Sequence, residues 1–181
     1  MANEWYIAAG ASDYDTIGDW SATEGGASSG NTPDNTSDVK YSDTSSSNNC
    51  TLDANGAAQS LAMDAVTSGG TDDWTQILNI STYDLAVTNK ISAGNGTTIQ
   101  IGVSGANGLT AGEILFVTGS ILTMAATDTS IVKCAGNFTA PFSQIFSTNR
   151  LGHYHQTGSG NYDSPSTLNR CIHLPLMMAL P

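Results

Sequence analysis

Short runs in which apolar and polar residues alternate recur along the chain from Cys50 to Cys134. Alternation with a period of two residues is typical of a β-strand that buries one face. Glycine and asparagine separate the runs, as in Asn95-Gly96, and these residues favour turns. The pattern predicts strands at residues 61–63, 77–80, 83–87, 97–103, 113–117, 120–124 and 130–134.

The residues before Cys50 follow a different pattern. One strand is predicted at residues 5–9, and residues 10–49 are rich in Ser, Gly, Asp, Asn and Thr, which form turns. Trp20 and the Val39-Lys40-Tyr41 alternation interrupt this stretch. The chain therefore divides into a lead-in at residues 1–49, a β-repeat body at 50–135 and a C-terminal tail at 136–181.

The C-terminal tail ends in an apolar segment with weak helical periodicity over residues 174–180. A soluble chain does not leave such a segment exposed, so we expect it to pack on the body or on another subunit. This predicts a homo-oligomer, with a trimer as one arrangement. The predicted contact residues are Ile172, Leu174, Leu176, Met177, Met178 and Leu180.

The spacing of the apolar runs predicts an all-β fold. A β-solenoid, similar to a parallel β-helix, fits the body, because solenoids alternate short strands with Gly and Asn corners. A β-sandwich or jelly roll is the alternative, since it presents the same short alternating strands. The tail is expected to be irregular.

The charge inventory excludes several classes of partner. Lysine and arginine number 5 against 16 aspartate and glutamate residues, for a formal net charge of -11. The few cations lie singly along the chain, so binding to nucleic acid or to an anionic membrane is not expected. No apolar stretch approaches the ~20 residues of a membrane span. The opening residues lack a basic segment, so we also expect no signal-peptide export.

Histidine and aspartate supply the candidate metal ligands. His153 and His155 would project from one face of a strand about 6.6 Å apart, and three such pairs on a threefold axis would bind a transition metal. A polar loop between glycines is the alternative for this segment. A calcium site is the corresponding hypothesis for the acidic residues, which are Asp13, Asp15, Asp19, Asp72 and Asp73.

No catalytic set stands out in the sequence. Asp53 and Asp64 are the only pair of carboxylates in the body whose spacing suits a glycan-cleaving acid and base, and no cation lies near them. A Gly-x-Ser-x-Gly nucleophile turn and the Gly-rich phosphate loops are missing. The sequence therefore predicts a protein that is not an enzyme and has no cofactor.

Cysteine and aromatic residues have both structural and functional interpretations. Cys50, Cys134 and Cys171 are odd in number and far apart, which predicts buried thiols, with a Cys50–Cys134 disulfide left open. Aromatic side chains would anchor loops if buried, which we favour, or stack on sugars if exposed. The aromatic residues in question are Trp5, Tyr6, Tyr14, Trp20, Trp74 and Tyr83.

Several segments resemble the opening of a family of phage and metagenomic repeat proteins. They are Gly18-Asp19-Trp20-Ser21, Gly25-Gly26, Pro33, residues 37–43 and Cys50-Thr51-Leu52-Asp53. Residues 114–124 resemble the repeat phrase of that family, while Tyr41 stands where the family has phenylalanine. The resemblance spans roughly residues 5–134.

This resemblance implies a non-catalytic β-helix-like body that belongs to a virion fibre or capsid decoration protein and contacts other virion proteins. The hydroxyl- and amide-rich composition, with only 12% charged residues, is also compatible with glycan contact. A glycan-binding adhesin or receptor-binding tip is therefore the alternative function. A β-helix carbohydrate-active enzyme ranks below it.

Overall fold

The computed structural model describes residues 2–63, 74–102, 108–117, 119–124, 131–139, 144–147, 153–156, 158–159 and 162–163. Within these residues all regular secondary structure is β-strand, which confirms the all-β prediction. No helix in the described part is long and apolar enough to cross a membrane. The strands are β1 (Ala2–Tyr6), β2 (Ser12–Asp13), β3 (Trp20–Ser21), β4 (Ser37–Lys40), β5 (Cys50–Thr51), β6 (Gly56–Ala58), β7 (Ser60–Met63), β8 (Ile77–Ser81), β9 (Leu85–Ala93), β10 (Thr98–Ile101), β11 (Gly108–Phe116), β12 (Ile121–Met124), β13 (Ile131–Cys134), β14 (Phe138–Thr139), β15 (Gln144–Ser147), β16 (His153–Gln156) and β17 (Tyr162–Asp163).

The strands form two sheets. Sheet A has the order β16-β13-β11-β9-β7-β4-β1-β3, with β6, β14 and β17 paired beside this path, and sheet B has the order β15-β12-β10-β8-β5-β2. Every described pairing is parallel except that of β1 with β3. A jelly roll is built from antiparallel neighbours, so the observed pairing differs from that alternative.

The register of the parallel pairs advances in nearly equal steps through the later strands. In sheet B, Ile99 pairs with Leu122 and Leu122 pairs with Ile145, so each step is 23 residues. In sheet A, Leu109 pairs with Val132, which is again 23 residues. The chain thus returns to the same register position at a regular interval, alternating between the two sheets.

Buried aliphatic side chains form continuous rows across the paired strands. In sheet B one row consists of Cys50, Leu78, Ile99 and Leu122, which are consecutive register partners and at most 2% exposed. Sheet A has an equivalent row that runs through Leu61, Ile91, Ile114 and Phe138. Removal of this apolar surface from water, at roughly 25 cal/mol per Å², is the main stabilising contribution.

Several strands differ in extent from the sequence prediction. The strand predicted at residues 5–9 instead spans Ala2–Tyr6, because residues 2–5 pair in register with β4. β9 and β11 each run for nine residues, longer than the segments predicted there. In β9, Thr88 and Asn89 are exposed next to a register shift, which breaks the alternation that marks a strand.

Glycine permits close backbone contact where β11 crosses this register shift. A Cβ atom at Gly112 would meet the carbonyl oxygens of Thr88 and Asn89 on the neighbouring strand. Gly136 lies on the other side of Gly112 and donates its backbone N–H to the Gly112 carbonyl. Only residues without a side chain allow the strands to stack this closely.

Asparagine and aspartate link successive strands at a turn between the two sheets. The Asn55 side-chain oxygen accepts a hydrogen bond from the Asp84 backbone N–H at 3.0 Å. The Asp84 carboxylate in turn accepts one from the Gly108 backbone N–H at 2.8 Å. Each side chain therefore satisfies a backbone donor in the next segment along the stack, as expected for Asx residues at turns.

Candidate functional site

Five aromatic residues pack together at the end of the sheets formed by β2 and β3. This N-terminal aromatic cluster consists of Tyr6, Tyr14, Trp20, Tyr41 and Trp74, none more than 3% exposed. Neighbouring ring centroids lie 4.4 to 6.3 Å apart. The prediction that these aromatic residues are buried is confirmed, and buried rings do not present a surface on which a sugar could stack.

The polar atoms of this cluster bind backbone carbonyls of separate segments. Trp20 Nε1 donates to the Tyr14 carbonyl at 2.8 Å, and the Tyr14 hydroxyl donates to the Ala57 carbonyl at 2.9 Å. Trp74 Nε1 donates to the Ser46 carbonyl at 2.9 Å. Because rings and polar atoms are both engaged, the cluster joins the turn-rich lead-in to the first strands of the body.

The described cysteines are buried thiols. Cys50 and Cys134 are both free and fully buried, so the open alternative of a Cys50–Cys134 disulfide is wrong. The Tyr41 hydroxyl donates to the Cys50 sulfur at 3.4 Å, while burial raises the pKa of the Cys50 thiol to about 12. A thiol that keeps its proton is a poor nucleophile and a poor metal ligand. Cys171 lies outside the described residues.

The acidic residues of the lead-in do not converge on one point. Asp15 shares a side-chain hydrogen bond with Asp53, and this bond, followed by desolvation, raises the pKa of Asp15. Asp19 instead accepts a hydrogen bond from the Ser12 hydroxyl. Among the described residues no group of three or more His, Cys, Asp or Glu side chains could hold a metal ion. Asp13, Asp15 and Asp19 therefore do not form the predicted calcium site.

The other acidic candidates, Asp64, Asp72 and Asp73, lie outside the described residues. The predicted pairing of Asp53 with Asp64 therefore stays a prediction. The carboxylate that the structure does place beside Asp53 is Asp15, which comes from the turn-rich lead-in. Sequence spacing could not indicate this pair, because the two residues are brought together by the pairing of β2 with β5.

The predicted histidine pair lies on a strand, as one of its two interpretations requires. β16 contains both residues, with His153 in register with Ile131 and His155 in register with Lys133 of β13. Whether the pair binds a metal stays a prediction. The tail residues predicted to mediate oligomerisation, from Ile172 to Leu180, all lie outside the described residues.

Sheet B presents an outer surface without charged residues. β5, β8, β10, β12 and β15 contain no Asp, Glu, Lys, Arg or His, whereas sheet A carries several charges, including the Lys90–Glu113 ion pair at 3.6 Å. The strands alternate, so the residues between the buried positions face outward. We call this surface the neutral face, and its central residues are Ile77, Asn79, Thr98, Gln100, Ile121 and Thr123.

The neutral face was missed in the sequence because it exists only once the strands are placed side by side. The signal was present in each segment separately, since residues 77–81, 98–101 and 121–124 are all uncharged in a strongly acidic chain. Comparison with protein families, with curated proteins and with solved structures found no match to this chain. The resemblance to phage repeat proteins therefore stays a prediction.

Proposed function

We propose that the chain is a non-catalytic structural component of a phage-type virion, a fibre or capsid decoration protein that assembles through contacts between subunits. We further propose that its body is a β-solenoid, in which each circuit of the chain contributes one strand to sheet B and the next strands to sheet A. The parallel pairing and the recurring step of 23 residues support this fold. Solenoids are stiff, extended bodies whose length depends on the number of circuits.

The observation that carries the proposed function is that the described side chains with binding or chemical potential are used inside the molecule. The aromatic cluster is buried, both described cysteines are buried, and Asp84 is engaged by a backbone N–H. Such an arrangement supports a shape that persists and presents surfaces to neighbours. A virion protein requires this kind of rigid, repeating body.

The alternative is a glycan-binding adhesin or receptor-binding tip. One observation favours it, since Asn79, Gln100 and Thr123 form an outward row of amide and hydroxyl groups suited to hydrogen bonding with sugars. Glycan sites usually combine such groups with exposed aromatic rings. The large aromatic residues of the lead-in are buried, so we rank this function second.

A carbohydrate-active enzyme has less support. Its best candidate pair in the described residues is Asp15 with Asp53, whose carboxyl groups share a hydrogen bond. Glycosidases hold their two carboxyl groups about 5 to 9.5 Å apart so that the glycosidic bond fits between them. Carboxyl groups in direct hydrogen-bond contact are closer than this.

Light scattering on the purified full-length protein tests the proposed function. Multi-angle light scattering coupled to size exclusion should give a mass of two or more copies, with no binding on a glycan array. A monomer at every concentration that binds a defined glycan would overturn the structural role in favour of the adhesin. A monomer that binds nothing would also contradict it, because assembly through subunit contacts is the core of the proposal.

A further inference from the structure

We infer that the neutral face is a self-complementary contact surface that binds the same face of a second copy of this chain. The inference rests on the proposed function, because it specifies where two subunits of the assembly meet. It depends on the chemical order of the outward residues in three neighbouring strands, β8, β10 and β12, which pair in register.

The first outward row is symmetric about its centre. Thr98 pairs in register with Ile77 on one side and with Ile121 on the other, so the row reads Ile-Thr-Ile across the sheet. A twofold axis along β10, in the plane of the contact, places Ile77 of one copy opposite Ile121 of the other. Two apolar contacts then flank a central pair of threonines, as an isologous interface requires.

The second outward row is complementary under the same axis. Gln100 pairs in register with Asn79 and Thr123 and would face Gln100 of the second copy, since primary amides can both donate and accept. The Asn79 side-chain oxygen accepts from the Ser81 N–H at 2.9 Å. The Thr123 hydroxyl donates to the Ile99 carbonyl at 3.5 Å. Asn79 would thus offer its amide donor to the hydroxyl acceptor of Thr123.

Electrostatics favour a second copy on this face over other surfaces. Each chain carries a formal net charge of -11, so two copies repel each other wherever carboxylates meet. The strands of the neutral face contribute no charge to the contact. Desolvation of charged groups, which opposes many interfaces, is therefore small there.

The size of the face sets the expected strength. Five strands at ~4.8 Å spacing and ~13 Å in length cover far less than the ~800 Å² per partner of a standard interface. The contact by itself should therefore be weak, and it would orient copies that the tail or neighbouring virion proteins also hold together. Apparent affinity rises steeply when several weak contacts act together.

Paired charge substitutions in the full-length protein test the inference. Gln100→Lys places two lysines against each other on the proposed axis, whereas Thr110→Lys adds the same charge to an exposed position of sheet A. We expect Gln100→Lys to weaken self-association in sedimentation velocity by about tenfold or more, and Thr110→Lys to leave it unchanged. Both positions are exposed, so both variants should keep the wild-type melting temperature.

Cross-linking gives an independent readout of the axis. In a Cys171→Ser background, Gln100→Cys should form dimers with a short bis-maleimide, because facing sheets lie about 10 Å apart, and Thr110→Cys should not. The inference is overturned if both lysine variants associate equally well or if both cysteine variants cross-link equally. In that case an oligomer that persists would still support the proposed function, whereas a wild-type monomer would contradict the proposed function itself.

Discussion

Asp84 shows how a single side chain links successive segments of the stack. Its carboxylate accepts a hydrogen bond from the Gly108 N–H at 2.8 Å. Asp84→Ala leaves that partly buried donor without its acceptor, so we expect a loss of about 1 to 2 kcal/mol in the free energy of unfolding. Urea denaturation measures this loss. Asp84→Asn keeps an acceptor oxygen and should lose much less, and equal losses in the two variants would contradict the role of the hydrogen bond.

The buried phenols and thiol of the aromatic cluster make stability depend on alkaline pH. Burial raises the pKa of Cys50 from 9.0 to about 12, and it raises the pKa values of Tyr6, Tyr14 and Tyr41 as well. Above about pH 9 the unfolded chain loses these protons while the folded chain keeps them, so the unfolded state binds fewer protons and stability falls as pH rises. Below that range this contribution is fully present.

Tyr41→Phe isolates one of these groups. Each titrating group contributes about 1.4 kcal/mol per pH unit once the unfolded state has lost its proton. Between about pH 8 and about pH 11, the free energy of unfolding should therefore fall about 1 kcal/mol less in Tyr41→Phe than in the wild type. Urea titrations at both pH values measure the difference. An identical fall in the two proteins would show that the Tyr41 phenol ionises normally in the folded state.

At the scale of the strand, the buried rows predict a strong contrast within β10. Ile99 is fully buried between Leu78 and Leu122, whereas Gln100 is exposed. Ile99→Ala should destabilise the protein by about 2 to 5 kcal/mol through lost burial and a residual cavity. Gln100→Ala, measured at a dilution that favours monomers, should change stability by less than about 0.5 kcal/mol. Similar values for the two variants would mean that β10 does not bury the face described.

The strands that sequence reasoning predicted are those with one buried face and several positions. Residues 77–80 and 97–103 predicted β8 and β10 because the apolar residues alternate there. β2, β3 and β5 span two residues each, too few for a period to be visible. The sequence also hid the repeat, because the first step, from Ala2 to Ser37, is 35 residues and a later one, from Val39 to Leu61, is 22.

The candidate surfaces were harder to predict than the strands. Burial of Trp20 and Trp74 followed from the aromatic content of an otherwise polar lead-in. The neutral face depends on which strands are neighbours and in what register, for example Gln100 beside Asn79 and Thr123. Long-range pairing of this kind is not written in local alternation. The absence of charge from the same segments was the one local signal that pointed to it.

At the scale of the whole molecule, the fold has one closed end and one neutral side. The N-terminal aromatic cluster fills the end formed by β2 and β3, and these edge strands are only two residues long. Short edges protect a sheet from pairing with another chain. Growth of an assembly by strand addition at this end is therefore disfavoured, which leaves contacts along the side and through the tail.

A cryo-EM map of the assembled full-length protein tests the proposed structural role most directly. The account predicts particles of two or more copies, each a parallel β-solenoid with strands about 4.8 Å apart, joined through the neutral face and the C-terminal tail. Monomeric particles with an open cleft lined by carboxylates or exposed aromatic rings would contradict it.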